Sequence, residues 1–336
     1  MSASMPNTGA DTVVHVAVGI LADGDKVFIT RRSPDSHQGG KWEFPGGKLE
    51  SQEAVLSGLR RELHEELGVD VRQAHPFMQI RHAYSDKEVL LDVWRITVYD
   101  GIPHGREGQE ARWVSRRDLP QFEFPEADKP ILRRLWLPPL YLISDVSRLG
   151  KTGFLVRLER ALKAGARMLQ LREPNMPAAE YRAYAREVAN LCHRHDAILL
   201  LNAPPEWVLD CGADGVHLNS QRLREISPRP PDPGFWVAAS CHNAGELDQA
   251  MRLNADFVVL SPVARTRSHP DAAPLGWGNF QKLCRDVNLP VYALGGMGPR
   301  DMPQARAAGA QGLAMISGIW DSDSPETAIA EILAGQ

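Results

Sequence analysis

Apolar and polar positions follow two different rhythms along this chain. In the first part the period keeps changing. Val13–Leu21 is an apolar, strand-length run, the turn-forming Ala22-Asp23-Gly24-Asp25 follows, and Lys26–Arg32 is a second run, which together predict a β-hairpin. Ser33 to Lys41 is polar and predicts a loop. From Ala54 the apolar residues Leu56, Leu59, Leu63 and Leu67 recur at helical spacing, and Gly68 supplies a helix stop. Phe77–His82, Val89–Tyr99 and Ala111–Val114 predict further strands, and Lys129–Trp136 a closing helix. Mixed strands with few helices predict an α+β or α/β/α domain ending near residue 136.

After Leu137-Pro138-Pro139 the rhythm is regular. Eight short apolar runs appear in turn: Tyr141–Val146, Arg167–Arg172, Ala197–Asn202, Gly215–Leu218, Val237–Ser240, Phe257–Pro262, Val291–Gly296 and Gly312–Ser317. Helical patterns such as Phe154–Ala164, Ala178–His195, Ala244–Asn254 and Pro299–Gly309 lie between them. Apolar strands alternating with helices predict a parallel sheet covered on both faces, and eight units in under 200 residues predict a closed (β/α)₈ barrel rather than an open sheet. The expected organisation is an α/β protein with one domain over 1–136, a short linker at 137–140 and a barrel over 141–336.

Composition narrows the classes. The 336 residues are 43% hydrophobic and 24% charged with a net charge of −4, which excludes a disordered chain and argues against bulk electrostatic grip on nucleic acid. Cys192, Cys211, Cys241 and Cys284 lie far apart with no CxxC, so neither a disulfide framework nor a zinc knuckle is expected. The opening MSASMPNTGADT has neither a basic start nor an apolar core, and no apolar run approaches a membrane span. A cytoplasmic protein with no direct nucleic-acid or membrane contact is the expectation.

The chemistry concentrates between Gly47 and Val69. Glu62, Glu65 and Glu66 fall on one helix face, where like charges repel. A cation relieves that repulsion. Oxygen ligands without His or Cys select Mg²⁺ or Mn²⁺, ions that bridge carboxylates and phosphate oxygens. The full spacing is Gly47, five residues, Glu53, seven residues, Arg61-Glu62-Leu63, one residue, Glu65-Glu66, one residue, Gly68-Val69. This pattern is identified as the signature of the Nudix hydrolases, with every fixed position matched. Val27–Arg32, Asp35, His37, Lys41 and Glu43–Lys48 resemble the MutT branch, the enzymes that cleave oxidised dGTP, over residues 12–136.

That resemblance implies an α/β/α sandwich and Mg²⁺ or Mn²⁺ held by Glu62, Glu65, Glu66, the loop acid Glu107 and the carbonyl of Gly46 or Gly47. It implies that Arg61 orients the helix acids, that Glu53 supports them, and that Arg32, His37, Phe44 and Lys48 bind the substrate. Arg32 and His37 match phosphate-side and sugar-side contacts, and Phe44 the place beside the base. Water would attack an internal phosphorus of a nucleoside triphosphate, with Glu62 or Glu107 as base and pyrophosphate as a product. One position departs. The family's base-reading asparagine is Asp128 here, in Phe124-Pro125-Glu126-Ala127-Asp128. An amide donates and accepts, whereas an ionised carboxylate only accepts. A carboxylate can accept the N7–H of an 8-oxopurine, but O6 requires a protonated Asp128.

The second half resembles thiamine-phosphate synthase and its relative TenI over about residues 140–333. The resemblance rests on Leu169–Glu173, Gly212–Leu218, Ser240-Cys241-His242, Thr266 with Pro274-Leu275-Gly276, and Ala293–Gly296. Barrel active ends lie after the strand C-termini, with phosphate often after strands seven and eight. Gly295, Gly296, Ser317 and Gly318 are therefore a candidate site for a phosphorylated small molecule, with Arg172, His217 and His242 pointing into the mouth. Where the synthases carry a lysine this chain has Pro174, and where they carry two Mg²⁺-binding aspartates it has Ala203 and Arg222. Those losses remove the means of stabilising a pyrophosphate leaving group. A ligand-binding barrel and a scaffold both stay open.

Overall fold

A computed structural model describes residues 13–116, 118–226, 229–230, 234–266, 273–285 and 287–334. The dodecapeptide read above as lacking a leader lies outside them. The chain divides into two compact units, the first ending at Trp136 and the second beginning at Leu137.

The first unit is built on a seven-stranded mixed sheet. Its elements are β1 (Val14–Asp23), β2 (Lys26–Arg31), β3 (Trp42–Glu43), β4 (Gly46–Lys48), α1 (Val55–Leu67), β5 (Asp70–Ala83), β6 (Glu88–Asp100), β7 (Ala111–Ser115) and α2 (Lys129–Trp136). The path runs β3-β2-β1-β6-β5, with β4 on β1 and β7 on β2. β1 and β6 are parallel over eight pairs, Val14↔Val89 to Leu21↔Ile96, so the hairpin and the acid helix are joined to the later strands at the sheet centre. Leu59, Leu63 and Leu67 of α1 are fully buried against Ala17, Leu21 and Phe28 on one face. Ile131 and Leu135 of α2 join Val18, Ile20 and Ile29 on the other, giving the α/β/α sandwich. α1 ends as the spacing predicts, the Gly68 N–H reaching His64 O at 3.0 Å.

The sequence pattern showed only the later part of β5. Its first residues, Asp70, Arg72 and Gln73, are exposed and pair with the polar end of β6 through register shifts, so they carry no alternation. β3 and β4 are too short to print a period.

The second unit is a closed barrel of eight parallel strands: β8 (Leu140–Ile143), β9 (Met168–Leu171), β10 (Ile198–Leu201), β11 (Gly215–Leu218), β12 (Trp236–Cys241), β13 (Phe257–Leu260), β14 (Val291–Ala293) and β15 (Gly312–Met315). β15 closes on β8 through Leu313↔Leu140. Alternate residues, among them Tyr141, Met168, Leu200, Phe257 and Tyr292, fill the interior. Their neighbours pack outward on helices such as Lys151–Lys163 and Ala178–His193. The barrel is a packed core, not a pore.

The stretch 137–140 expected as a linker belongs to the barrel. Leu137 is buried in the interior, Leu313 N–H bonds Pro139 O at 2.9 Å, and Leu140 starts β8. Proline cannot donate to a ladder, yet the Pro139 carbonyl accepts from one, and the Pro138 carbonyl accepts from the Tyr292 hydroxyl. The expected helix Pro299–Gly309 is a 3₁₀ turn, Pro299–Asp301, followed by a helix over Met302–Ala307. Among the described residues no helix is long and apolar enough to cross a membrane.

Candidate active site

A cavity of about 710 Å³ opens on the first unit. Val14, Val16, Val18 and Val89 from the parallel strand pair form its apolar floor. Arg32, His37, Phe44, Gly46, Gly47, Lys48, Glu66, Glu107 and Asp128 all line it, which brings most of the residues singled out in the sequence to one place.

One side of the cavity is the glycine bend against α1. Gly46 N–H donates to Glu66 Oε2 at 3.1 Å. A Cβ on Gly47 would stand 2.2 Å from Glu62 Oε2, so only glycine lets that carboxylate lie against the bend. The last carbonyls of α1, which no helix residue can satisfy, are taken by the loop that carries Glu107. His104 N–H bonds Leu67 O at 3.2 Å, Arg106 N–H bonds Glu66 O at 2.9 Å, Arg106 Nη1 bonds His64 O at 3.0 Å, and Gln109 Nε2 reaches Glu66 O at 3.3 Å. Burial, with Glu43, Glu62 and Glu107 nearby, pushes Glu66 up to about 8 despite the Gly46 bond.

Glu62, Glu65 and Arg61 lie beside the cavity and not among its lining residues. Arg61 gathers the acids to itself. It donates to Glu53 through Nε (3.0 Å) and Nη2 (2.9 Å), to Glu62 at 2.8 Å, to Glu65 at 3.2 Å and to Lys48 O at 3.2 Å. Hydrogen bonds from Arg61 and from the Glu50 amide hold Glu53 down at about 2. Among the described residues no three His, Cys, Asp or Glu side chains close on one point. The donor chemistry nevertheless fits a hard divalent cation: oxygen ligands only, around a carboxylate whose ionised form three like charges oppose.

The other side is built from Arg32, His37, Phe44 and Asp128. Arg32 donates Nε to His37 O at 2.9 Å and Nη1 to Glu43 Oε2. The ring of His37 meets Tyr84 edge-on at 4.9 Å, and its Nε2 faces Asp86 Oδ1 at 3.4 Å. Phe44 stacks on Phe124 at 5.5 Å. Asp128 is buried and sits with Tyr84, whose hydroxyl accepts the Ala127 N–H at 3.4 Å. Burial, then the charge of Glu43, pushes Asp128 up to about 8, against the pull of Arg32. Burial likewise raises Glu43 to about 7. Burial and the charge of Glu43 thus favour the protonated form of the Asp128 carboxyl, the form that donates as well as accepts.

Sequence reasoning gave no role to Glu43, Thr30, Tyr84, Lys87 or Gln109, which also line the cavity. Glu43 was visible inside the Glu-Phe-Pro-Gly-Gly run. Tyr84 carried no signal, because only the β5–β6 pairing brings it to the loop after β2.

In the barrel, Gly295 and Gly296 follow β14 and Ser317 and Gly318 follow β15, at the strand C-terminal end. A Cβ on Gly296 would stand 2.8 Å from Arg265 O, so a neighbouring loop by itself demands that glycine (φ 69°). His217 does not offer a charged group to the mouth. It is buried in the barrel, with Nδ1 at 3.1 Å from the Tyr141 hydroxyl and Nε2 at 2.8 Å from Ser240 Oγ, and burial with Arg172 nearby lowers it to about 3. His242 is exposed, its Nδ1 at 2.7 Å from Ser261 O. Arg172 is exposed, and its backbone N–H bonds Ser144 Oγ at 2.8 Å. Asn202, Ala203 and Arg222 offer no carboxylate, so these residues do not fit the Mg²⁺ that thiamine-phosphate synthases imply.

A sheet sandwiched by helices, with a glycine bend set against an acid-bearing helix, defines a Nudix-type phosphohydrolase unit, and the closed parallel barrel defines a second, TIM-type unit. The chain belongs to the Nudix domain family through residues 16–134 and to the thiamine monophosphate synthase family through residues 140–319. It is 36% identical over 123 residues to the 8-oxo-dGTP diphosphatase of Escherichia coli (strain K12), covering 36% of this chain and 95% of that one. A protein of Aquifex aeolicus (strain VF5), provisionally named thiamine-phosphate synthase 2, is 39% identical over 181 residues, 54% of this chain and 97% of its own. The solved thiamine phosphate pyrophosphorylase from Pyrococcus furiosus matches with a TM-score of 0.50 at 26% identity, covering 58% of this chain and 93% of that one.

Proposed function

We propose that the first unit hydrolyses 8-oxo-dGTP to 8-oxo-dGMP and pyrophosphate, and so keeps oxidised guanine out of the nucleotide pool. The observation that carries this reading is Asp128. A buried carboxyl at the base end, held up at about 8, presents a donor for O6 and an acceptor for N7–H at neutral pH, the pair an amide presents. Phe44 lies beside the base, and Arg32 and His37 face the sugar and phosphates. Mg²⁺, with Mn²⁺ as the alternative, would be held by Glu62, Glu65, Glu66, Glu107 and a glycine carbonyl at Gly46 or Gly47, once substrate competes with Arg61 for the acids. Such an ion supplies charge neutralisation for the pyrophosphate leaving group. Of the two candidate bases, Glu107 lines the cavity whereas Glu62 is engaged by Arg61, which favours Glu107 for taking the proton of the attacking water.

The experiment is a panel of canonical and oxidised nucleoside triphosphates, with pyrophosphate release followed for the full chain. 8-oxo-dGTP should lead in kcat/KM. Equal rates for dGTP would remove the base assignment. Membership of the synthase family favours a second reading, in which the barrel forms thiamine phosphate and the first unit is accessory. Pro174, Ala203 and Arg222 weigh against it, and thiamine phosphate formation from its two phosphorylated precursors would establish it.

A further inference from the structure

We propose that Gln109 is a positioning residue for the acid pair Glu66 and Glu107, its side-chain amide setting the loop acid against the helix acid before a cation arrives. The inference rests on the reading that these acids hold a divalent ion. Glu107 lies between β6 and β7 and is exposed, and among the described residues no side chain pairs with its carboxylate. Its place is therefore set through its backbone. The Glu107 N–H donates to Gln109 Oε1 at 2.8 Å, and Gln109 Nε2 donates to Glu66 O at 3.3 Å. A side chain that spans those two groups must donate and accept at once. A carboxylate lacks the donor and an ammonium lacks the acceptor.

The Glu66 carbonyl is held from both sides of Glu107. Arg106 N–H, one residue before it, donates at 2.9 Å, and Gln109, two residues after it, adds its amide. Gln109 is itself anchored to the sheet, because Arg31 N–H of β2 donates to the O of the next residue, Glu110, at 2.8 Å. The turn between these anchors is tight. A Cβ on Gly105 would collide with Gln109 O, so glycine there leaves the amide its room. Gly108 (φ 80°) takes the left-handed bend that brings Gln109 back onto the Glu107 N–H. Two acids meant for one ion repel in its absence, and Glu107 is among the charges that oppose ionisation of Glu66. A neutral amide that works through backbone groups fixes the pair against that repulsion and leaves the carboxylates to the cation.

The test is a double-mutant cycle of Gln109→Met and Glu107→Gln in the full chain, read as Mn²⁺ affinity by electron paramagnetic resonance. Gln109→Met keeps the length of the side chain and removes both bonds. It should weaken Mn²⁺ binding about tenfold, with faster hydrogen exchange at the Glu107 amide and a thermal transition that stays cooperative. In the Glu107→Gln background the same substitution should cost about twofold or less, because Gln109 acts through Glu107. If Gln109→Met does not fold, Gln109→Asn, an amide too short to span both groups, takes its place. Affinity that falls in Glu107→Gln but holds in Gln109→Met would overturn this proposal alone, as would equal losses in the two backgrounds. Affinity unchanged in Glu107→Gln would remove the metal reading of the loop acid, and this proposal with it.

Discussion

Gly46 N–H and Glu66 Oε2 stand 3.1 Å apart, so the glycine bend and the acid helix are joined at an acid that burial raises to about 8. Glu66→Gln keeps the shape and an acceptor but removes the charge. Pyrophosphate release should fall by about 10²-fold or more, with an unchanged circular dichroism spectrum. A rate within threefold of the parent would separate Glu66 from the chemistry.

Asp128 yields a pH signature. Its folded-state value of about 8 lies above the ordinary 3.8, so the folded chain binds more protons than the unfolded one between those limits. Its contribution to stability is therefore lost as pH rises through that window. Preference for 8-oxo-dGTP over dGTP should decline as pH passes 8, when the donor is lost. In Asp128→Asn the preference should persist without its pH dependence, and this slope of stability should flatten. Steady-state kinetics and urea titrations from pH 6 to 9 measure them.

Arg61 aligns Glu53, Glu62 and Glu65 from a single guanidinium. Arg61→Gln should lower activity about 10–100-fold while leaving the helix buried through Leu59, Leu63 and Leu67. Mn²⁺ affinity, read by electron paramagnetic resonance, should change with it. Full activity in that variant would show that the acids need no such alignment.

His217 acts in the opposite sense. Its value is depressed from 6.5 to about 3, so the unfolded chain takes up the proton first and barrel stability should fall as pH drops from 6.5 towards 3. His217→Gln should remove part of that acid limb. A variant as acid-sensitive as the parent would place the proton uptake elsewhere.

The barrel was legible because eight strands buried on both faces print eight apolar runs, and the acid helix because its two faces carry different chemistry. The site's depth was not legible. Glu43, Tyr84 and Asp128 are 41 to 85 positions apart in numbering, and burial, which no spacing reports, sets their protonation. The start of the barrel was hidden in the sequence for a related reason. Pro138 and Pro139 cannot donate to a ladder, and nothing in their identity shows that the Pro139 carbonyl completes one or that the Pro138 carbonyl takes the Tyr292 hydroxyl.

The segment carrying Glu107 is fastened to the end of α1 by Arg106 and Gln109. Fraying of the final helical turn would therefore release the loop acid with it. Any lengthening of that segment would have to keep the His104, Arg106 and Gln109 anchors in place.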